Sequence, residues 1–158
     1  MSQVSNNFFG RIYYRSSKDI DGPGEKILLA LNPQRREAIL KTTGWDALEP
    51  GTLNLKVAQE VQDALFSYEP VLSEDGETLI YPKPFEGIPK RRRFYVYYPG
   101  IARASGKSSD VLVRRAGIAL PGRVELFAPL NLTTYFGLHE GDAVEVTITA
   151  GPPWQPDR

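Results

Sequence analysis

Short apolar runs broken by turn residues dominate this chain, and their period is mostly two. Phe8-Phe9-Gly10-Arg11-Ile12-Tyr13-Tyr14 is aromatic and β-branched and stops at the polar stretch 15–21. Gly22-Pro23-Gly24 is a turn, and Ile27-Leu28-Leu29-Ala30-Leu31 follows as an apolar strand-like run. Thr52-Leu53-Asn54-Leu55-Lys56-Val57 alternates, which puts Leu53, Leu55 and Val57 on one face and Thr52 and Asn54 on the other. Further strand signals lie at residues 78–81, 94–98, 111–113, 124–127 and 143–149. In the last, Val144, Val146 and Ile148 share one face. The pattern predicts about seven or eight short strands.

Helical periodicity is scarcer. Asn32 is an N-cap with Pro33 at N1, and the helix over 34–43 stops at Gly44 as C′. Val57, Val61, Ala64, Leu65 and Tyr68 recur at helical spacing, which predicts a second helix near 58–67. A short third helix is expected over 129–136, ended by Gly137. Many short strands with few helices favour a small β-barrel over a βαβ sheet. The expected organisation is a flexible N-terminus at 1–7, one β-barrel domain at 8–150, and a flexible Pro-rich tail at 151–158.

Composition narrows the chemistry. The 158 residues carry 19 Lys plus Arg against 19 Asp plus Glu, with one His and no Cys. Zero formal net charge argues against a general polyanion binder. Without cysteine there is no disulfide framework, thiolate metal site or cysteine nucleophile. A single histidine, His139, excludes a multi-histidine metal site, and it reads as a surface-turn residue. No basic segment followed by an apolar run opens the chain, and no apolar run is long enough to cross a bilayer. The expectation is a soluble cytoplasmic domain that works with carboxylates, hydroxyls, amides and backbone.

Three segments could carry such chemistry. In Gly22-Pro23-Gly24-Glu25-Lys26, close glycines let backbone N–H groups approach an anion, though an ordinary hairpin turn reads the same way. In Glu49-Pro50-Gly51-Thr52-Leu53-Asn54-Leu55, a hydroxyl and an amide oxygen project side by side. Such hard neutral ligands suit a Mg²⁺ held mostly by substrate phosphates, and a polar strand face at a barrel rim is the alternative. In the segment 123–146, Glu125 faces away from Val124 and Leu126, either as a working carboxylate or as a solvated strand residue. Separately, Lys90-Arg91-Arg92-Arg93 precedes Phe94-Tyr95-Val96-Tyr97-Tyr98, and basic residues beside outward Tyr95 and Tyr97 could stack single-stranded nucleic acid. A neutral chain makes that partner unexpected.

Taken together and in order, these segments resemble the archaeal CTP-dependent riboflavin kinases. That family carries a Gly-Leu-Gly-Glu-Gly loop, then Pro-Gly-Thr-Leu-Asn, then Glu-Ile-Ile-Ala-Pro leading to Leu-x-x-Gly-Asp-x-Val. The counterparts are Gly22-Pro-Gly-Glu-Lys26, Pro50-Gly-Thr-Leu-Asn54, Val124-Glu-Leu-Phe-Ala-Pro129 and Leu138-His-Glu-Gly-Asp-Ala-Val144. Phe85-Glu-Gly87 is a weaker match. The resemblance implies a mainly β fold, a small six-stranded cradle-loop barrel with two or three short helices. It also implies transfer of the γ-phosphoryl of CTP to riboflavin, giving FMN.

Carried over by position, Gly22, Pro23, Gly24, Glu25, Lys26 and Ile27 would wrap the nucleotide phosphates. Leu130, Asn131, Leu132 and Thr133 would line the base. Thr52 and Asn54 would bind Mg²⁺, and Glu125 would contact the flavin-like acceptor and orient or deprotonate its hydroxyl. The partners implied are a nucleotide and a riboflavin-like small molecule, with no membrane. This chain is a divergent member on that reading. Lys26 replaces the last loop glycine, Pro23 removes a backbone donor, Thr133 stands where the family has Arg, and Gly117 where it has a flavin-binding Thr. A non-catalytic barrel that binds a nucleotide or phosphometabolite, or an interaction module, is the alternative.

Overall fold

The computed structural model describes residues 6–13, 29–75, 94–116 and 122–149. Among these residues seven strands form one antiparallel sheet: β1 (Asn7–Ile12), β2 (Leu53–Lys56), β3 (Leu72–Asp75), β4 (Phe94–Ala104), β5 (Lys107–Ala116), β6 (Arg123–Phe127) and β7 (Ala143–Ile148). Six of them close a barrel in the order β4-β5-β6-β2-β1-β7, with β7 returning to β4. β3 is the extra strand. It pairs with the first half of β4 (Leu72 opposite Tyr97), while β7 pairs with the second half (Gly100 opposite Ile148). One edge of β4 therefore carries two strands end to end. The fold is mainly β and a small barrel, as the pattern of short strands predicts, and it closes on six strands, the number the resemblance implies.

Alternation fills the barrel. Leu53, Leu55, Val96, Tyr98, Val111, Val113, Val124, Leu126, Val144, Val146 and Ile148 all point into one core. Two helical segments stopper its ends. α2 (Gln59–Ala64), continued by a 3-10 turn at Leu65–Ser67, brings Leu65 and Tyr68 into one end. At the other, α3 (Leu132–Phe136) inserts Leu132 and Phe136. Tyr68 meets Tyr98 edge to face inside, with centroids 6.3 Å apart.

A second apolar cluster lies outside the barrel wall. α1 (Pro33–Thr43) packs Ile39 over Tyr95, Tyr97, Leu112 and Phe127, joined by Leu29 and Leu48. Only Ile39 and Arg35 of α1 are buried, so an ion pair supplements apolar contact here. Arg35 Nε meets Glu74 Oε2 at 2.8 Å, Arg35 Nη2 donates to Tyr97 Oη at 3.0 Å, and Tyr97 Oη donates to Glu74 Oε1 at 3.0 Å. The triad links α1, β3 and β4. Its mutual hydrogen bonds offset the desolvation of a guanidinium left 1 % exposed.

Several expectations change on contact with the fold. β1 begins at Asn7, inside the segment expected to be a flexible N-terminus, and pairs with Thr147. Residues 29–31 are helical instead of extended, because Leu29 turns into the outer cluster just ahead of α1. β4 runs straight through Pro99 and Gly100 and β5 is longer than its apolar centre, joined by a hairpin turn with Ser105 and Gly106 at positive φ. β3, a polar Leu-Ser-Glu-Asp stretch with no strand signal, forms because β4 offers it an edge. α3 starts three residues later than expected, at Leu132. Both glycine stops hold: Gly44 and Gly137 are left-handed. The strand expected at 78–81, the run 90–93, the segment 85–87 and the tail 151–158 lie outside the described residues. No helix among the described residues is long and apolar enough to cross a membrane.

Barrel closure depends on close strand approach at Gly100, where an added Cβ would lie 2.8 Å from the Thr147 carbonyl oxygen of β7. Gly100→Ala is expected to cost about 1–3 kcal/mol in urea unfolding, as overpacking does. A midpoint equal to wild type would show that β4 and β7 are not in this contact. Burial also pushes the Tyr98 phenol above 10.0, with Glu69 adding to it and Arg115 opposing, and burial raises Tyr68 likewise. A group with a raised folded value stabilises below its unfolded value and loses that contribution as pH rises through the folded one. Unfolding free energy should therefore fall as pH climbs above 10, with Tyr68 and Tyr98 ionising late in an absorbance titration.

Candidate functional site

The outer face of β1, β2, β6 and β5 is a grid whose rows are set by register. Asn54 stands directly opposite Glu125, and Glu125 directly opposite Arg114. On the far side the Tyr13 amide donates to the Asn54 carbonyl at 3.1 Å, which puts Tyr13 in the same row. Thr52 lies one pleat earlier, just ahead of β2, and its Oγ1 donates to Asn54 Oδ1 at 3.3 Å. The two motifs, seventy residues apart in sequence, thus meet on one half-buried patch.

Glu125 is not isolated. Its Oε2 forms an ion pair with Arg114 Nη2. Arg114 is itself buried, its guanidinium 4.6 Å from the Tyr95 ring centroid and 4.9 Å from that of Phe127. Cation–π contact with both rings helps hold the guanidinium on the carboxylate. The ion pair ties the Glu125 side chain to β5, in the row where Asn54 stands on its other flank. Arg114 was missed by motif reasoning because nothing in Arg114-Arg115 distinguishes the outward arginine from the inward one. Arg115 turns to the other end of the barrel and donates from Nε to the Gln62 carbonyl at 3.0 Å. Burial lowers its pKa, with Tyr98 and Asp63 opposing.

Gln62 was also missed. Its side chain is buried, accepting at Oε1 from the Gly122 amide at 3.1 Å and donating from Nε2 to the Arg123 carbonyl at 2.7 Å. This clamps the start of β6 to α2 and so helps set the position of Arg123 and, two residues on, Glu125.

One pleat beyond the Asn54 row lies a row of cations. Arg11 is opposite Lys56, and Lys56 is opposite Arg123. The Tyr13 ring lies against two of them, with Lys56 Nζ 5.6 Å and the Arg123 guanidinium 4.7 Å from its centroid. Period two from Asn54 and Glu125 would have placed Lys56 and Arg123 on this face. Their mutual adjacency required register.

The remaining expected residues are dispersed or outside view. Gly22, Pro23, Gly24, Glu25, Lys26, Ile27 and Gly117 lie outside the described residues. Of the 130–133 segment, Asn131 caps α3, accepting at Oδ1 from the Thr134 amide at 3.0 Å. Leu132 is buried in the barrel core and Leu130 packs against it, so Leu132 can offer a ligand only its backbone. The segment sits just past β6, where the Glu49 amide donates to Ala128 O at 2.9 Å. Along the ladder the order is therefore 130–133, Thr52, Asn54 with Glu125, then Lys56 with Arg123. His139 is exposed in its turn, as expected. The outward tyrosines that would have stacked nucleic-acid bases are covered, Tyr97 being 0 % exposed.

Chemically, Thr52 Oγ1 and Asn54 Oδ1 are hard, neutral and adjacent, which fits a Mg²⁺ that arrives with phosphate and water ligands. Among the described residues no group of three or more His, Cys, Asp or Glu could hold a metal by itself. The donor set thus fits a cation brought by its ligand better than a resident one.

A double-mutant cycle on Arg114→Gln and Glu125→Gln is expected to show a coupling of about 1–3 kcal/mol in unfolding free energy, the range for contacting ionic partners. Additive effects would refute the pair. Arg114→Lys should also destabilise, since a compact ammonium cannot keep the guanidinium's contacts with Tyr95, Phe127 and Glu125 together. No protein-family model matches this chain, and no curated protein matches it.

Proposed function

We propose that this barrel is a divergent riboflavin-kinase-like phosphotransferase, moving the γ-phosphoryl of a nucleoside triphosphate, CTP by resemblance, to a hydroxyl of riboflavin or a related small molecule. The observation that carries this reading is the direct opposition of Asn54 and Glu125, with Thr52 beside Asn54. Two separate motifs of the resemblance thereby supply one oxygen-lined patch. Phosphoryl transfer asks for positioning and charge neutralisation more than for a reactive side chain, which suits a chain without cysteine.

On this reading the acceptor hydroxyl sits against Glu125, which orients it and accepts its proton as the new P–O bond forms. The bond from the γ-phosphorus to the β–γ bridging oxygen breaks, and the nucleoside diphosphate leaves. Thr52 and Asn54 would hold Mg²⁺, whose chemistry is to neutralise charge on the phosphate oxygens. Arg114 acts through Glu125 as a positioning residue. The Gly22–Ile27 loop and residues 130–133 are assigned to the nucleotide by resemblance.

One observation favours the non-catalytic alternative. Glu125 is engaged by the Arg114 guanidinium, and a carboxylate held in an ion pair can recognise a ligand without taking a proton. The two readings part in experiment. Calorimetry with CTP, ATP and riboflavin, each with Mg²⁺, should show nucleotide binding, and no binding at millimolar nucleotide would end the kinase reading. With activity in hand, Glu125→Gln should lower kcat by about 10²–10⁴-fold with a small change in KM, the usual range for a lost general base. Binding without turnover, unchanged by Glu125→Gln, would establish the binder. Thr52→Val with Asn54→Leu should abolish Mg²⁺-dependent turnover, and activity surviving that double change would refute the metal assignment.

A further inference from the structure

We infer that the row Arg11–Lys56–Arg123 on the outer barrel face is a binding subsite for a phosphate group, set one pleat beyond Asn54 and Glu125. Cross-strand register places Lys56 directly between Arg11 and Arg123. Like charges directly opposite in an antiparallel pair repel, and here three strands in succession present a cation at the same level. The face that carries them is half-buried to exposed: Arg11 and Lys56 are exposed and Arg123 is intermediate. Glu125, one pleat away, is already engaged by Arg114. Arg11 spends one donor on the Gly141 carbonyl at 3.0 Å, and a guanidinium has five.

The cations are also held in place. The Tyr13 ring backs both Lys56 Nζ and the Arg123 guanidinium. The Arg123 backbone is clamped by Gln62. Holding two like charges against one ring lowers the ordering that an anion would otherwise have to impose on flexible side chains. Tetrahedral oxyanions, with several acceptor oxygens and up to two charges, match such a fork of donors, as carboxylates with two oxygens do less fully.

Position narrows the ligand further, and this step rests on the phosphotransferase reading above. The subsite lies on the side of Asn54 away from residues 130–133, which that reading gives to the nucleobase. The phosphate it takes is therefore the one farthest from the base: the terminal phosphate of the donor, or the phosphate of the product. One pleat of a strand is about 7 Å, a span that a triphosphate chain or a phosphorylated product can cover from Asn54.

The test uses inorganic pyrophosphate without Mg²⁺, so that binding reports on the cations alone. Calorimetry should show pyrophosphate binding to wild type. Lys56→Gln and Arg123→Gln should each weaken it about ten- to a hundred-fold, the loss of a charge-assisted contact. Lys56→Arg should retain it, and thermal unfolding should show all variants folded. CTP and FMN affinity should then be compared with CMP. A selective fall for CTP assigns the donor's terminal phosphate, a selective fall for FMN assigns the product's, and CMP should be unchanged. No pyrophosphate binding at millimolar concentration, or equal binding by wild type and both Gln variants, overturns the subsite. Loss of pyrophosphate binding in the variants, in a protein that never phosphorylates riboflavin, would uphold the subsite and remove the kinase reading.

Discussion

The hydrogen-bond ring closed by β4 is the constraint on which the rest of this molecule depends. A strand edge left open exposes a line of unpaired donors and acceptors, and β4 is long enough to satisfy β5 on one side and both β3 and β7 on the other. Once the ring is shut, every residue of its six strands points either into a filled core or onto the outer wall. Gly100 is the point at which the approach is tightest, since the Thr147 carbonyl occupies the space of its missing side chain. From that closure follow the stoppers at the two ends, because a barrel with an apolar interior must have its mouths covered. Leu65 and Tyr68 do this at one end, and Leu132 and Phe136 at the other.

The outer wall then divides by what covers it. Over β4, β5 and β6, α1 and the Arg35–Glu74–Tyr97 triad seal an apolar cluster. Over β1, β2 and β6 the wall remains polar and partly open. Arg114 sits at the border between the two. Its rings belong to the sealed side and its carboxylate partner to the open one. That placement makes the sealed cluster a support for the candidate patch: what holds Tyr95 and Phe127 in place also holds Arg114, and through it Glu125. Electrostatics adds a gradient along the strands, from neutral oxygens at Thr52 and Asn54 to the cation row at Lys56.

Much of the fold was legible because period two is a local property. The Leu53/Leu55/Val57 and Val144/Val146/Ile148 alternations state an inward face without reference to any partner, and the glycine stops at Gly44 and Gly137 are set by backbone sterics. Legibility failed where tertiary pairing overrode local preference. Pro99-Gly100 reads as a break, yet the chain continues because Pro99 needs no donor there and Gly100 admits a neighbouring strand. Leu72–Asp75 has the composition of a loop and is a strand only because β4 has an edge to satisfy. Tyr95 and Tyr97 were correctly placed outside the barrel, but a period cannot reveal that a helix from sixty residues earlier covers them. For the candidate site, motif and alternation pointed to Thr52, Asn54 and Glu125, and the structure brings them into one patch, whereas Arg114, Gln62 and the Arg11–Lys56–Arg123 row were not legible.

The sequence by itself determined the class of chemistry and the faces of the strands. A chain without cysteine and with one histidine is confined to oxygen ligands, amides and charge, and alternation alone put Thr52 with Asn54 and turned Glu125 outward. What only the tertiary structure decided was adjacency. Which residue stands opposite which depends on strand order and register, and a shift of one residue would turn every side chain to the other face. Register put Asn54 against Glu125, Glu125 against Arg114, and three cations in one row. It is a property of the closed ring and of no segment within it.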